Sequence, residues 1–556
     1  MGSDPEQDPV RVQQTHHSKE ADEAGRTSAA YSEHAKDEQT LKARKAAERE
    51  HDLSWRESLR LYPKAIAFSL LFSSAIIMEG YDLALIGGFY GYTAFQNKFG
   101  DQPGDGGVGK VISADWQTYI QNSGMCGQIV GLYINGYVTD HFGFKKTMLG
   151  SQVLMMALIF ILFFAQNIQT ILAGNTLLGI PWGIFQTLSI NYASDVAPVI
   201  LRPYLTTYVK MCWVFGQLIS AGVLRGFLHY QGDMSWRIPY AIQWVWPPLI
   251  MLGTLFAPES PWWLVRRGRL EDAKKSVLSL SSSKAGVDFD PEDSVALMKA
   301  TDDLEKELST STSYWQCFRG VDLRRTEIAA VSYLAQAWCG TSLMGYSVQF
   351  YERAGLSDDH AFDLNIGQSA MGILGVLMSW VLLGKFGRRT IYMSGIFLLL
   401  LILVTVGGLG FADPDNAGPS WAIGTLLLVY TFVYDGMVGP LCYAIVAEVP
   451  STRLKVKTVV LARNISNIAG FVNNTLMPRM LGVNSWNWGA KTGLFWAGFC
   501  LVILIWAYFR LPETKDRTYG ELDILFHNGA SARKFSKARV DQFASNGDAQ
   551  IKHEGD

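Results

Sequence analysis

The stretch "IIMEGYDLALIG", residues 76–87, sets two carboxylates, Glu79 and Asp82, three residues apart in a run that is otherwise apolar. On a helix that separation is about one turn, so the two acids share a face. Two carboxylates that close in a low dielectric cannot comfortably both be charged, and one then keeps a proton that it can pass on. An acid inside a lipid-soluble run is by default a functional group, the competing reading being an acid tied permanently to one partner. Three more ionisable groups lie in similar company. They are Lys210 in "YVKMCWVFGQL", Asp435 in "VYDGMVGP" and Arg463 in "RNISNIAG". Lys210 can pair with Asp82 or with Asp435, or snorkel to an interface. Arg463 can neutralise an acid or lie against a polar ligand.

The elements that position these groups follow from hydrophobic run length. Of 556 residues 49% are hydrophobic and 18% charged, and apolar runs of the roughly 20 residues that a membrane helix needs recur along the chain. Twelve spans are expected, at 65–93, 117–139, 147–166, 170–194, 204–225, 238–257, 328–350, 364–384, 390–411, 420–446, 456–480 and 490–510. The class is therefore an all-α membrane protein. Lys and Arg collect in alternate connections, which makes those loops and both termini cytoplasmic by the positive-inside rule. A net charge of −2 with no basic stripe argues against a nucleic-acid partner. The polar arm 1–60 has no apolar core of a signal peptide and is expected to be disordered, apart from a short helix near 40–51. Five of the six cysteines fall inside spans, so a disulfide framework is not expected.

The chain repeats itself in order. "GYVTDHFGFKK" is echoed by "LLGKFGRRT", "SDVAPVILR" by "AEVPSTRLK" and "APESP" by "LPET", each roughly 250 residues later. This divides the chain into two pseudo-symmetric six-helix halves, 61–261 and 326–511, joined by a cytoplasmic helical linker, 262–325, and followed by a tail, 512–556. Parallel repeats around a central site are one transporter architecture. The repeated loops carry candidate gate charges: Asp140, Lys145, Lys146, Asp195, Arg202 and Glu259 in the first half, with Arg388, Arg389, Glu448, Arg453, Lys455 and Glu513 in the second. Paired cations after a glycine turn can contact acids and helix C-termini. Asp195 and Glu448, seven residues before Arg202 and Lys455, can form ion pairs that hold one side shut. The alternative is that all of these are topology signals. Neither a phosphate-cradling loop nor Cys/His metal spacing nor a nucleophile elbow is present, which argues against an enzyme and against a metal or other cofactor.

These residues resemble the sugar porter family of the major facilitator superfamily. "GYD" in the first span, "GYVTDHFGFKK", "PESPWWLVRRGR", "GKFGRRT", "GPLCYAIVAEVPSTRLK" and "LPETKDRTYGEL" carry the resemblance, which covers about 60 to 527. "MEGYD", "IPWGIFQTL", "GYSVQFYERAG" and "WNWGAKTGLFW" are similar to the fungal α-glucoside permease branch. The resemblance implies a major facilitator fold, proton-coupled import of maltose or a related glucoside across the plasma membrane, a monomer, and no cofactor. Its proton-coupling acid maps onto Asp82, with Glu79, Lys210 and Asp435 as further candidates. Its sugar-binding positions map onto or beside Gln217, Gln336, Ser342, Tyr346, Tyr443, Ser466 and Asn467, with Arg463 against sugar hydroxyls. Ser342 and Ser466, smaller than the usual residues, leave room for a disaccharide; sucrose, trehalose, lactose and cellobiose stand beside maltose. The chain departs from the family where a span-four arginine usually offsets the span-one acid, for Asn175 stands there. A sensor of the same fold is the alternative function.

Overall fold

Apolar runs broken at "HFGFKK", "APVILRP", "KFGRR" and "VPSTRLK" fold into long helices joined by tight turns. The computed structural model describes residues 38–540 apart from 39, 51, 91–92, 104–109, 228–229, 231, 283–289, 309–312, 346–357, 413–416, 482–485 and 487, together with 552 and 553. Among the described residues the spans, numbered in chain order, are Pro63–Phe89, Ala114–Phe142, Phe144–Phe163, Ile168–Val196, Arg202–Phe227 and Met234–Phe256 in the first half. The second half holds Gly320–Trp338 with Ser342–Gly345, then Asp358–Lys385, Arg388–Leu409, Ala417–Glu448, Lys455–Leu481 and Gly489–Arg510. Eight of these are long and apolar enough to cross a bilayer by length and composition alone. Spans 2, 6, 7 and 11 are not: span 7 opens on charges, span 6 is interrupted, and spans 2 and 11 carry several Asn and Gln side chains.

The repeat seen in the sequence is repeated in the packing. Spans 1 and 5, 2 and 4, and 3 and 6 pack as pairs, and the second half pairs 7 with 11, 8 with 10, and 9 with 12. Within the first half the contacts close to backbone distance. A Cβ on Gly131 would lie 2.0 Å from the Ile180 carbonyl oxygen, one on Gly183 2.3 Å from that of Gln128, and one on Gly80 2.2 Å from that of Trp213. Lipid offers no hydrophobic drive between helices, so small residues that admit close approach do the packing. Gly80 lies between Glu79 and Asp82, so this contact fixes the height of both acids against span 5.

Two spans are irregular where they carry polar groups. Span 10 passes through a π-turn, Tyr434–Val438, that contains Asp435 and ends at Gly439-Pro440. Span 6 tightens into a 3₁₀ turn, Gln243–Val245, ahead of Pro247. Such local changes of helix type are frequent at functional sites.

The linker forms helices Pro261–Arg266, Leu270–Leu280 and Pro291–Leu308 under the bundle. Residues 40–50 are helical and lay Ala43, Ala46 and Ala47 on Leu297, while Lys42 and Lys45 reach Glu292 and Asp293 in the linker helix at 3.5 and 3.6 Å. The arm 1–60, expected to be disordered apart from that short helix, also holds the helix Trp55–Leu61, a correction that follows from the reciprocal Ser54–Glu57 capping box satisfying its first-turn N–H groups; residues 1–37 lie outside the described residues. The tail folds back as a helix, Tyr519–His527. Strand structure among the described residues is confined to two pairings of two residues each.

Replacing Gly131 by Leu should push spans 2 and 4 apart, costing on the order of 1–3 kcal/mol. Gly150, with nothing within 4 Å of its would-be Cβ, should accept Leu without loss. Thermal melting of the purified protein in detergent distinguishes the two.

Candidate functional site

The acids of span 1 part company. Glu79 faces the boundary with the second half, and Gln186 of span 4 donates to its Oε1. Arg463 of span 11 donates through Nε to the Gln186 Oε1 at 2.7 Å and brings NH2 within 3.9 Å of Glu79. Arg463 also lies over the Tyr333 ring at 5.3 Å, and Tyr443 stands edge-on to Tyr333 at 5.9 Å. Asp82 turns instead into the first half. Its Oδ1 accepts from Gln243 of span 6, and its Oδ2 has no hydrogen-bond partner among the described residues. The expectation of a shared face is thus corrected: at roughly 100° per residue, three residues leave Asp82 about 60° short of a full turn from Glu79, enough to give each a separate partner.

Lys210 takes the second of the partners open to it. Its Nζ lies 3.2 Å from Asp435 Oδ1, with both side chains buried, and sits over the rings of Trp213 and Tyr434. The π-turn brings Asp435 to this pair, and Gly372 of span 8 makes room, for a Cβ there would stand 2.8 Å from Asp435 Oδ2. Asn175, in place of the family arginine, donates to the Ile120 carbonyl of span 2 at 2.7 Å and so packs helices.

Of the residues assigned to sugar, Gln336 donates to the Gly439 carbonyl at 2.7 Å, tying span 7 to the start of the last segment of span 10. Asn467 is buried with its Nδ2 unpartnered, Ser466 is buried beside it, and Gln217 is half-buried without a hydrogen bond among the described residues. Ser342 opens the short helix Ser342–Gly345. Tyr346 lies outside the described residues. Among the described residues no cluster of three or more His, Cys, Asp or Glu side chains could hold a metal ion.

On the side of the bundle that carries the linker, the repeated charges form two kinds of contact. The first lies within each half and is pseudo-symmetric. Glu259 accepts from the Phe144 backbone N–H at 2.7 Å and from that of Lys145, while Lys145 donates to the Leu255 carbonyl at 2.7 Å. Glu513 accepts from the N–H groups of Arg388 and Arg389 at 2.8 and 3.2 Å, while Arg389 donates to the Tyr508 carbonyl at 2.6 Å. Each carboxylate therefore caps the N-terminus of the span that follows the glycine turn, where backbone N–H groups are unsatisfied. The glycines are needed because a Cβ on Gly143 or Gly387 would fall on that carboxylate. Lys146 is exposed.

The second kind crosses between halves. Lys455 of span 11 lies 2.7 Å from Asp195 of span 4, which also accepts from Ser260 at 2.7 Å. Lys457 pairs with Asp140 of span 2. Arg202 does not join Asp195, a correction to the pairing expected from their spacing. Asp195 ends its helix with the chain turning away, and Arg202 stacks over the Tyr519 ring of the tail at 4.0 Å. The same Tyr519 hydroxyl accepts from Lys455 at 2.9 Å. Glu448 pairs with Arg388 at 3.3 Å and accepts from Thr514 at 2.5 Å, both within the second half. Arg453 approaches Asp302 of the linker at 3.9 Å.

The linker is latched to this region by Glu305, whose carboxylate accepts from Thr452 N–H at 2.6 Å, Thr452 Oγ1 at 2.8 Å and Arg453 N–H at 3.0 Å. Burial, and next the nearby Asp523 of the tail helix, push its pKa up to about 8. Gln186, Gln243, Glu305 and Tyr519 were not singled out from the sequence. The one signal available for the first two was a long amide inside an apolar span.

The twelve spans among the described residues, in two repeated halves with a polar joint between them, define the major facilitator fold of a multi-pass membrane protein. The sugar (and other) transporter family model matches residues 67–526, and the chain belongs to that family. It is 41% identical over 506 residues to the general alpha-glucoside permease of Saccharomyces cerevisiae, covering 90% of this chain and 81% of that protein. It is 41% identical over 518 residues to the maltose permease MAL31 of the same yeast, covering 92% and 83%. Among solved structures, the proton:xylose symporter XylE bound to 6-bromo-6-deoxy-D-glucose superposes with a TM-score of 0.73 at 18% identity, over 84% of this chain and 99% of that one. The chain is a sugar transporter of the membrane and not an enzyme.

Removing one member of the buried Asp195–Lys455 pair leaves a bare charge, at a cost of roughly 3–5 kcal/mol. Asp195→Asn or Lys455→Gln alone should lower the melting temperature more than the two together, as a double-mutant cycle reads. The raised Glu305 group binds a proton more tightly docked than free, so the docked linker is stable below the ordinary carboxylate range and loses stability as pH rises through about 8. After correction for the intrinsic pH dependence of amide exchange, the protection of residues 291–308 should fall between pH 6 and 8.5 in the native chain, and Glu305→Gln should abolish that fall.

Proposed function

We propose that this chain imports α-glucoside disaccharides such as maltose together with a proton, by alternating access, as a monomer of the plasma membrane with both termini cytoplasmic. The moving bodies are the halves 61–261 and 326–511, linked by 262–325, with the arm 1–60 and the tail 512–556 on the linker side.

The observation that carries the reading is the joint of Glu79, Gln186 and Arg463, which spans the two halves through one buried acid and one half-buried cation. An acid at a contact that must open and close has a charge state that changes the energy of opening. When Glu79 is charged, Arg463 is drawn across the interface. When it is neutral, that attraction is gone. Asp82, one turn on and without a cation, carries the proton between the two sides. Lys210 and Asp435 form a second joint between the halves that keeps the lysine charge satisfied. Moving one charge down 100 mV is worth about 2.3 kcal/mol, and about 1.4 kcal/mol is a tenfold concentration ratio, so one proton supports accumulation beyond tenfold.

Sugars present hydroxyls around apolar faces and are bound by amides and rings. Gln217, Gln336, Ser342, Tyr346, Tyr443, Ser466 and Asn467, with Arg463, supply those groups, and the names of the yeast relatives favour a glucoside. The pairs Asp195–Lys455 and Asp140–Lys457 close the linker side and break when it opens to the cytoplasm.

Uptake of labelled maltose into transport-deficient cells tests the reading. The native chain should accumulate sugar at acid pH and lose accumulation when an uncoupler is added. Asp82→Asn should lose accumulation by tenfold or more while still exchanging labelled for unlabelled sugar. Accumulation indifferent to the uncoupler would end the symport account.

A further inference from the structure

Asp82 lacks the cation that its family position ordinarily faces, and what stands there instead is an amide. Both groups are fully buried, and the Gln243 Nε2 donates to Asp82 Oδ1. That one bond leaves two atoms unpartnered among the described residues, Asp82 Oδ2 and Gln243 Oε1, one on each of the two groups already joined. A single proton satisfies both. A carboxylic acid has an O–H donor that a carboxylate lacks, and an acid and a primary amide close a ring with two hydrogen bonds, N–H to carbonyl and O–H to carbonyl.

The backbone of span 6 is arranged to aim this amide. At Gln243 the helix tightens, and the Gln243 N–H bonds the Tyr240 carbonyl rather than that of Pro239. The Pro239 carbonyl so released accepts from the Tyr81 hydroxyl at 2.8 Å. Tyr81 is the residue before Asp82, so the same 3₁₀ turn that redirects Gln243 is tied to the backbone neighbour of the acid it serves. Tyr81 also packs on Trp246, just beyond the turn, at 5.8 Å between ring centroids.

No charged group near Asp82 competes for it. Trp182 of span 4 offers the carboxyl its indole N–H, a neutral donor present whether or not the acid holds a proton. Tyr240 of span 6 is close by with its hydroxyl unpartnered, and Tyr90 of span 1 gives its hydroxyl to the Gln117 carbonyl. Glu79 is engaged by Gln186 and Arg463, and Lys210 of span 5 by Asp435.

We infer that Gln243 is the positioning residue for proton loading at Asp82, closing an acid–amide ring with the loaded group and holding the unloaded group through its N–H alone. The inference rests on the reading of Asp82 proposed above. Loading takes one proton from water on one side, forms the O–H bond on Oδ2, and changes the charge from −1 to 0. Unloading breaks that bond, returns the proton to water on the other side, and leaves the negative charge against the Gln243 N–H. The amide thus does for this acid, without a charge, what an arginine does by Coulomb attraction.

The test uses the full chain in proteoliposomes with labelled maltose, comparing accumulation under an imposed pH gradient with exchange at equal pH. Gln243→Met keeps the length of the side chain and removes both polar atoms. It should lower accumulation about tenfold, leave exchange within about twofold, and displace the pH profile of uptake by about one unit, the size of one ordinary hydrogen bond. An accumulation ratio and pH profile that overlay those of the native chain would overturn the assignment. Loss of exchange in both Gln243→Met and Gln243→Glu would make the residue a general structural one and overturn it as well. Asp82→Asn separates the two ideas. If that variant accumulates sugar normally, the reading of Asp82 fails first. If it does not, while Gln243→Met does, the role of Gln243 alone is rejected.

Discussion

A charge placed among apolar helices has no water to turn to and must find its counterpart inside the protein. In this chain two sets of such charges find theirs across the boundary between the halves, Glu79 with Arg463 through Gln186 and Lys210 with Asp435. The packing inside the first half is of another kind, with glycines letting spans 1 and 5, and 2 and 4, touch backbone to backbone. Close packing is short-ranged and rigid, whereas an ion pair can trade its partner for water. The division of labour between the two kinds of contact therefore marks where the molecule is stiff and where it can part.

The linker side obeys the same division. Glu259 and Glu513 cap helices within their own halves, each over a glycine turn. Lys455–Asp195 and Lys457–Asp140 reach from one half to the other. The linker helix attaches through Glu305 to Thr452 and Arg453, two to three residues before Lys455, so the attachment and the contact between halves share one short stretch of chain.

Much of this was legible before any coordinates. Span positions follow from run length, and the described helices agree with them within a few residues at most ends. The repeat pointed to Glu259 and Glu513 as equivalent, because the same turn and the same cation pair recur in order. Partners were harder to read. Periodicity tells which residues share a face, but not what faces them, and Glu79 and Asp82 show how a turn of about 60° suffices to send two neighbours to different partners. Asp195 was matched by spacing with Arg202, whereas its partner lies 260 positions away. The amides Gln186 and Gln243 were overlooked for a related reason: a neutral side chain leaves no mark in a count of charges, although here two such groups do the work of cations.

The tail ends in a placement with wider meaning. Tyr519 sits between Arg202 of the first half and Lys455 of the second, its ring under one cation and its hydroxyl on the other. A single aromatic wedge borrowed from beyond the last span thereby joins the two halves. If they part as proposed above, the wedge has to come free or stay with one side, which makes the carboxyl-terminal extension a moving part of the machine rather than its trailing edge.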